Sequence, residues 1–426
     1  MSARAKSAVA SRQQVDVCLD ADIIEALSRV GTLFHATAHG HAVFSFAYDP
    51  AWLEWPNAFE IDPDLQLHQA ESYPSQDGVF RIFVDSAPDR WGRLLLDRRE
   101  TLKAREEQRQ ARTLTEWDYL LGVHDICRMG ALRFRRDAAA PFLDDDAHLA
   151  APPVASLREL EAASLALEAP GADEQPQFRQ WLIALLAPGS SLGGARPKAN
   201  YTDPEGALWI AKFPSREDRR DVGAWEMVVH QLARQAGLQV PEARLLSLGE
   251  RHRTFACRRF DRVPGGGRRF FVSAMTLLDR RDGENASYLE LAEFLSTRGS
   301  AAHKEADLRE LWTRVVFNIL VSNRDDHLRN HGFILATDGW RLAPAYDLNP
   351  NLDKAQHHLA IDTGDPSPDV NLALATAPYY DLPAAEAGAI VKRLQQVVGG
   401  WADVAAVHRL PRAEIELLAR AFLPAP

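Results

Sequence analysis

Residues 323–347 read NRDDHLRNHGFILATDGWRLAPAYD, a stretch that sets three polar side chains in a fixed order. Asp325 comes first, Asn330 follows five residues later, and Asp347 lies just beyond a predicted hairpin. Phosphoryl transfer from a magnesium-bound nucleotide needs one carboxylate to accept a proton, and an amide oxygen and a second carboxylate to hold metal. The order fits Asp325 as catalytic base, and Asn330 and Asp347 as metal ligands; taken alone, such a run is equally typical of ordinary turns, in which Asp and Asn cluster.

The flanking sequence predicts how this stretch is held. Apolar residues upstream recur at helical spacing and would bury one face of a helix that stops before the polar run at 322–327: Leu308, Leu311, Trp312, Val315, Val316, Ile319 and Leu320. Downstream, residues 332–335 and 340–342 flank Thr337, Asp338 and Gly339, which is typical of a hairpin. The hairpin would bring Asp347 back towards Asn330.

A lysine occupies a predicted strand upstream, in the sequence ALWIAKFP of residues 207–214. Leu208, Ile210 and Lys212 would share one face of that strand, so the Lys212 ammonium leaves an apolar surface and needs an anion nearby. The alternative is a lysine whose head simply reaches water. A lysine that binds nucleotide phosphates is usually steadied by a glutamate, and we expect Glu226, early in the next predicted helix, to do this.

The loop GSSLGGARPK, residues 189–198, precedes the lysine strand. Its glycines would let backbone N–H groups approach phosphate oxygens, and its lysine adds a donor. It matches neither the Gly-x-Gly-x-x-Gly nor the Walker pattern, so a plain flexible loop is the alternative. Ser190 and Ser191 are predicted phosphorylation sites, because charge added there would compete with the nucleotide phosphates.

The run FACRRFDR, residues 255–262, is predicted to be extended and is followed by the loop PGGG at 264–267. It lies between the lysine strand and a helical half of the chain, where a two-lobed kinase has its hinge. We expect backbone groups of Arg258, Arg259 and Phe260 to meet an adenine edge. Taken alone, the run is an edge strand and a turn.

Taken together and in order, these stretches resemble the HipA-type serine/threonine kinase toxins of bacterial toxin–antitoxin pairs. The resemblance covers most of the chain and is carried by SLGGARPK (191–198), WIAKFP (209–214), RFDR (259–262), NRDDHLRN (323–330) and AYD (345–347). Upstream, FVDSAPDRWGR (83–93) and MGAL (129–132) are similar to the N-terminal segment of that family.

The resemblance implies an α+β fold: a two-lobed protein-kinase-like fold, with a small β-rich nucleotide lobe, a larger helical C-terminal lobe and an additional N-terminal α/β subdomain. The predicted division is an N-terminal extension (1–28), the N-terminal subdomain (29–150), a linker (151–175), the small lobe (176–263) and the helical lobe (264–426). A low-complexity stretch rich in Ala, Asp and Pro marks the joint near residues 138–153.

The resemblance also implies roles for individual residues. Asp325 would be the catalytic base, Asn330 and Asp347 would hold Mg²⁺, and Lys212 would bind the phosphates of ATP. His327 and Tyr346 would lie beside the nucleotide, whose adenine Arg258, Arg259 and Phe260 would line. The phosphates would be covered by Gly193, Gly194, Ala195, Arg196, Pro197 and Lys198. Ser191, in preference to Ser190, would be autophosphorylated to switch the enzyme off.

Partners follow from the same resemblance. The family's targets are aminoacyl-tRNA synthetases, whose phosphorylation halts tRNA charging and drives dormancy. Operator DNA would be bound only indirectly, through a HipB-like helix-turn-helix antitoxin on a separate chain. The net charge of −10 agrees, because proteins that bind nucleic acid unaided draw most of their affinity from basic side chains.

Composition limits the remaining possibilities. With 426 residues and 46% hydrophobic content, the chain can bury a large core in two or three domains. The sequence has no apolar run long enough to span a bilayer, and residues 1–14 lack the apolar stretch of a secretion signal. The expected location is therefore the cytoplasm. The three cysteines are isolated in sequence, so neither a zinc site nor a disulfide framework is indicated.

Other functions use the same residues. A kinase-fold enzyme that phosphorylates a lipid or small molecule would share the catalytic set and differ in its acceptor groove. A corepressor could use the fold only as a platform for a DNA-binding antitoxin, although it would not need Lys212, Asp325, Asn330 and Asp347 together. A metal-dependent nuclease built on Asp325, Asp326 and His327 would leave the lysine strand and the glycine loop without a role.

Overall fold

The structure is a computed structural model that describes residues 12–38, 41–76, 78–143, 151–187, 194 and 196–422. These residues form three bodies, each with one antiparallel sheet: an N-terminal body, the small lobe and a C-terminal body that corresponds to the helical lobe. Among the described residues, no helix is long and apolar enough to cross a membrane.

The N-terminal body is a four-stranded sheet with helices packed on it. The strand order is β3-β2-β1-β4, formed by β1 (Gln13–Leu19), β2 (Ser28–Ala38), β3 (His41–Tyr48) and β4 (Leu132–Arg135). Between β3 and β4 the chain forms α1 (Pro50–Glu54), α2 (Arg81–Asp85), α3 (Arg90–Glu106) and α4 (Glu116–Leu121). Phe46, Phe83 and Phe134 pack edge to face or tilted in its core.

The first strand corrects the predicted division of the chain. The resemblance predicts an N-terminal extension over residues 1–28, yet β1 pairs with both β2 and β4 and is therefore an inner strand of the sheet. Its last five residues, 15–19, are all buried. Four of these five residues are apolar. The exception is Asp16, which forms an ion pair with Arg29 of β2.

The predicted linker is also structured. Residues 151–175 contain α5 (Leu157–Leu167), which packs with α6 (Phe178–Leu186) against the outer face of the small-lobe sheet. Leu157, Leu160, Ala163 and Leu167 recur at helical spacing and are buried there, which explains why this segment folds. The Pro- and Ala-rich sequence on either side hid this periodicity.

The small-lobe sheet presents the predicted lysine strand to the interior of the molecule. It has the order β5-β6-β8-β7, from β5 (Lys198–Thr202), β6 (Leu208–Lys212), β7 (Ala243–Leu246) and β8 (Thr254–Arg258), with α7 (Val222–Gln235) between β6 and β7 in sequence. Trp209 and Ala211 pack on the α5–α6 side, so Ile210 and Lys212 face the opposite way. Lys198 pairs directly with Lys212 across the sheet.

The C-terminal body is mainly helical, as predicted. It begins with β9 (Phe271–Ser273), α8 (Ala274–Leu277), α9 (Tyr288–Arg298) and α10 (Lys304–Leu320), followed by the hairpin of β10 (Gly332–Ala336) and β11 (Gly339–Leu342). Four helices complete it: α11 (Val370–Thr376), α12 (Ala384–Gly399), α13 (Trp401–Val407) and α14 (Arg412–Leu418). The hairpin closes where the sequence predicted, with Ala336 opposite Gly339.

Candidate active site

The end of α10 places the loop that contains Asp325. The helix stops in a Schellman motif: Ser322 is in the left-handed region with φ 52°, and the Asn323 N–H donates to the Asn318 carbonyl at 2.9 Å. Both Ser322 and Asn323 are buried. The loop therefore leaves the buried C-terminal part of the helix, residues 311–320, in a fixed direction, as the apolar periodicity predicted.

A buried polar network lies beneath this loop, centred on Asp326. Its Oδ2 accepts hydrogen bonds from the Tyr288 hydroxyl at 2.5 Å and the Asn318 amide at 2.8 Å, and it contacts His331 Nε2 at 2.7 Å. Burial alone would raise the pKa of Asp326, but the His331 and Tyr288 contacts keep it below its usual value. The sequence predicts no role for Asp326 in a kinase site; the acidic doublet and the nearby His331 are the signals that could have indicated one.

Asp325, unlike its neighbour, faces the cleft. Its side chain is 55% exposed and forms an ion pair with the Lys354 ammonium. Asn330, which is 8% exposed, ends a short 3₁₀ turn (Leu328–Asn330) and donates weakly to the Asp325 carbonyl at 3.5 Å. The His327 ring lies 5.8 Å from that of His358 at the same end of the cleft.

Lys212 lies between two carboxylates. Its Nζ donates to Glu226 Oε1 at 2.6 Å and to Asp347 Oδ1 at 2.7 Å. Burial would lower the pKa of Lys212, but the two carboxylates outweigh it and raise the pKa, so the ammonium stays charged. Burial raises the pKa of Glu226, whereas Lys212 holds that of Asp347 below its usual value. Glu226 thus contacts the lysine it was predicted to orient.

Asp347 adopts an unusual backbone conformation. Its φ of 58° lies in the left-handed region, which an aspartate enters at some cost in energy. Asn349 donates to Asp347 Oδ1 at 3.3 Å, next to the Lys212 contact. The predicted hairpin therefore does return Asp347 to the cleft, where it meets a residue of the small lobe 135 positions upstream in sequence.

The predicted phosphate loop is only partly described. Ser190, Ser191, Gly193 and Ala195 lie outside the described residues. Gly194 and Lys198 line the cleft. Lys198 is 2% exposed, and its Nζ lies 2.5 Å from Asp89 Oδ2 in the N-terminal body.

Two further residues of that loop face elsewhere. Arg196 donates to both carboxylate oxygens of Asp218, at 2.7 and 2.6 Å, and the Pro197 carbonyl accepts from the Phe213 N–H at 2.9 Å. Neither Arg196 nor Pro197 lines the cleft as described.

The predicted adenine segment lies along the cleft, but much of its backbone is already hydrogen-bonded. The Arg258 N–H donates to the Glu242 carbonyl at 2.8 Å, and the Arg259 N–H donates to the Leu208 carbonyl at 2.9 Å. The Phe260 ring stacks on Tyr346 with centroids 5.4 Å apart and an interplanar angle of 26°. Phe260, Tyr346 and Phe271 together give the cleft an aromatic wall.

The Arg259 side chain belongs to a joint between bodies. Its guanidinium is 1% exposed; it donates to Asp261 at 2.9 and 2.6 Å and to the Cys127 and Arg128 carbonyls at 2.7 and 3.0 Å. Asp261 also accepts from Arg262 and from the Gly130 N–H. The RFDR run therefore ties the small lobe to the N-terminal body, a role that the sequence does not predict.

These residues line a single cleft of about 870 Å³ between the two lobes. Of the predicted site residues, it brings together Gly194, Lys198, Lys212, Glu226, Arg258, Arg259, Phe260, Asp325, His327, Asn330, Tyr346 and Asp347. Pro88, Asp89 and Met129 of the N-terminal body close one side.

The donor set in the cleft fits a hard cation that shares its ligands with a nucleotide. Asn330 and Asp347 supply an amide and a carboxylate oxygen, and Mg²⁺ commonly takes one or two protein oxygens together with substrate phosphates and water. Within the described residues, no three His, Cys, Asp or Glu side chains form a metal-binding group. Asp326 is buried beneath the loop, so it does not join Asp325 and His327 in the nuclease-like site considered above.

Comparison with known proteins gives consistent results. The HipA-like C-terminal domain family model matches residues 190–401, and the HipA N-terminal domain model matches residues 21–135. A Sinorhizobium fredii protein named "Putative kinase Y4dM" is 31% identical over 34% of this chain and 37% of its own length. A Haemophilus influenzae protein named "Putative kinase" is 30% identical over 32% of this chain and 43% of its own length. The chain thus matches less than half the length of either relative.

A solved structure extends the match to nearly the whole chain. The Shewanella oneidensis MR-1 toxin–antitoxin complex of HipA, HipB and operator DNA contains a chain of similar fold, with a TM-score of 0.59 at 18% identity. The superposition covers 95% of this chain and 94% of that one. Two family models in the expected order, on a kinase-like fold with an added N-terminal body, lead to one conclusion: the chain belongs to the HipA-type toxin family.

Proposed function

We propose that the chain is an ATP- and Mg²⁺-dependent serine/threonine protein kinase. The observation that supports this best is the Lys212 ammonium, held between Glu226 of the small lobe and Asp347 of the large lobe, in the cleft that Asp325 also faces. A buried cation with two carboxylate partners is costly to maintain for stability alone. The Lys212 ammonium is well placed to bind phosphate oxygens, which would replace the Asp347 carboxylate as its partner.

In the proposed reaction, the ATP phosphates lie against Lys212 and Lys198, and the base rests beside the aromatic wall. Asp325 accepts the proton of a serine or threonine hydroxyl, whose oxygen bonds to the γ-phosphorus as the bond to the β–γ bridging oxygen breaks. Mg²⁺, held by Asn330 and Asp347, would neutralise charge on the phosphates. Glu226 keeps Lys212 in place, and His327 and Tyr346 flank the nucleotide.

We further propose that this activity makes the chain the toxin of a toxin–antitoxin pair. The target would be a cytoplasmic protein of the aminoacyl-tRNA synthetase class, and autophosphorylation at Ser191 would limit the activity. A HipB-like helix-turn-helix protein would be the antitoxin and would contact operator DNA. Membership of the family and the acidic net charge of −10 support a separate DNA-binding partner.

Transfer from ATP labelled at the γ-phosphate tests the proposal. We expect label on serine or threonine of the protein itself or of a co-incubated extract protein, and a loss on the order of 10³-fold in Asp325→Ala. Asp353→Ala, which removes a neighbouring exposed carboxylate, is the matched control and should label like the parent. Equal labelling by parent and Asp325→Ala would refute Asp325 as the base, and absence of label in the parent would refute the kinase activity.

A further inference from the structure

Lys354 contacts the proposed catalytic base directly, although it lies outside every motif that identified the site. Its ammonium forms an ion pair with Asp325 Oδ1. Lys354 belongs to the segment that follows Asp347, seven residues further along the chain. The base therefore has a positive partner from a different part of the helical lobe.

The backbone at Lys354 is fixed on both sides. Its N–H donates to the Asn351 side-chain oxygen at 3.3 Å, and its carbonyl accepts from Arg324 Nη1 at 2.7 Å. Arg324 immediately precedes Asp325, and its own carbonyl accepts from the His358 N–H at 3.1 Å. The segment at 351–358 is thus hydrogen-bonded to the Asp325 loop, which determines where the Lys354 side chain emerges.

The pair is too exposed to matter greatly for stability. The Lys354 and Asp325 side chains are 41% and 55% exposed, and ion pairs in such surroundings contribute little. Asp325 and His358 line the cleft, so the ion pair brings the half-exposed Lys354 ammonium to that end of it. We therefore look for the role of Lys354 in the positive charge that it brings close to Asp325.

We propose that Lys354 is a further catalytic residue of the kinase reaction proposed above, one that binds both the Asp325 carboxylate and the phosphoryl group in transfer. The acceptor hydroxyl gives its proton to Asp325, its oxygen bonds to the γ-phosphorus, and the electron pair of the breaking bond leaves with ADP. Lys354 stays protonated throughout and donates to an equatorial phosphoryl oxygen, where negative charge accumulates in the transition state. Because the lysine uses Oδ1, we assign the acceptor proton to Oδ2.

This role differs from that of Lys212. Lys212 is buried between two carboxylates, in a position to bind nucleotide in the ground state. Lys354 is half exposed and has one carboxylate partner, so its ammonium can move towards the phosphoryl group without leaving a buried charge unpaired. Loss of Lys354 should therefore lower the rate of transfer and leave nucleotide binding almost unchanged.

Single-turnover autophosphorylation with γ-labelled ATP tests this assignment. We expect Lys354→Met to lower the rate constant at saturating ATP on the order of 100-fold, while the half-saturating ATP concentration stays within about threefold of the parent's. Lys354→Arg should restore at least a tenth of the parent rate, because a guanidinium keeps the charge. Lys392→Met, a charge removal on the exposed side of α12, should match the parent.

Three outcomes would overturn the assignment. A Lys354→Met rate within threefold of the parent would show that the ammonium takes no part in transfer, and a faster rate would identify it as an obstruction of the base. A loss confined to ATP affinity would make it a binding residue only. Failure of the proposed kinase itself is distinguishable, because the parent would then transfer label neither to itself nor to a co-incubated extract protein, and that result would refute both proposals.

Discussion

A histidine close to the catalytic loop shows how a single residue ties stability to pH. His357 is 4% exposed, and its backbone N–H donates to the Pro366 carbonyl. Burial lowers the pKa of its imidazole from 6.5 to about 4, with the Asp326 carboxylate opposing only part of that shift. The folded state therefore holds His357 neutral under conditions in which the unfolded chain would protonate it.

This depressed pKa predicts acid sensitivity with a defined sign. The contribution of neutral His357 to the stability of the folded state is fully present above pH 6.5. It is lost as the pH falls towards 4, because the unfolded state then binds one more proton than the folded state. Between pH 7 and pH 5 the loss due to His357 is about 2 kcal/mol. We expect urea unfolding to show that the free energy of unfolding of His357→Gln falls by about 2 kcal/mol less than that of the parent between pH 7 and pH 5.

The exposed His41, changed to Gln, is the matched control for that comparison. If parent and His357→Gln lost the same free energy of unfolding between pH 7 and pH 5, the account of His357 would be wrong.

The sequence predicted some individual residues of the site and missed others for a physical reason. Lys212, Asp325, Asn330 and Asp347, which line one cleft, could be predicted because the proposed roles require particular residue types in a particular order. Asp326 and Lys354 could not be, because a buried hub and an ion pair depend on contacts between segments that no spacing rule relates. Arg259 lines the cleft, but the contacts of its side chain with Asp261 and the N-terminal body could not be predicted from the chain position of RFDR.

At the scale of secondary-structure elements, the loop between α10 and β10 depends on a close approach of two strands. A Cβ atom on Gly332 would lie 2.2 and 2.3 Å from the Phe271 ring and 3.0 Å from the Val272 carbonyl. Glycine therefore allows β10 to pair with β9 only two residues after Asn330. The hairpin itself was predictable from alternation and its Asp-Gly turn; the neighbouring strand β9, only three residues long, was not.

We expect Gly332→Ala to destabilise the fold by about 1–3 kcal/mol, because the added methyl group must displace a buried ring and backbone. Gly388→Ala is the matched control: it lies in α12 with no atom within 4 Å of the added Cβ, so it should stabilise by about 0.5–1 kcal/mol. Guanidinium unfolding of both variants measures the difference. Equal midpoints would show that β9 and β10 do not approach as closely as described.

At the scale of the whole molecule, the N-terminal body is joined to the small lobe by buried charge. Asp261 contacts Arg259 and Arg262 and accepts the Gly130 N–H, and these arginines also donate to carbonyls at residues 126–130. The arginines keep the pKa of Asp261 well below its usual value despite burial. Since Asp89 of the same body contacts Lys198 in the cleft, the joint also helps to position one wall of the candidate active site.

Removing that central carboxylate should therefore be costly. We expect Asp261→Asn to lower the free energy of unfolding by about 3–5 kcal/mol, because two buried guanidinium groups lose their counter-charge. Asp282→Asn removes an exposed partner of Arg329 and should change the free energy of unfolding by less than about 1 kcal/mol. Chemical denaturation followed by circular dichroism compares the two, and similar values would contradict a charge-dependent joint.

At this scale the sequence predicted two lobes and an added N-terminal body, and the family and fold comparisons confirm that architecture. It did not predict how the bodies join, because the carbonyls of the N-terminal body that accept from Arg259 and Arg262 lie 131 to 136 residues away in sequence. The inner position of β1 was likewise outside its reach, since strand order is fixed by tertiary pairing and not by local pattern.

Calorimetric titration with ATP and Mg²⁺ tests most directly whether these residues form one nucleotide site with separate binding and catalytic parts. We predict that Lys212→Met and Asp347→Asn weaken ATP binding by more than about tenfold, because each removes a group that we propose to contact the phosphates or their cation. Asp325→Asn should bind within about threefold of the parent, since a base acts on the acceptor hydroxyl. Equal affinity in all four proteins, or a loss of binding in Asp325→Asn alone, would contradict the account.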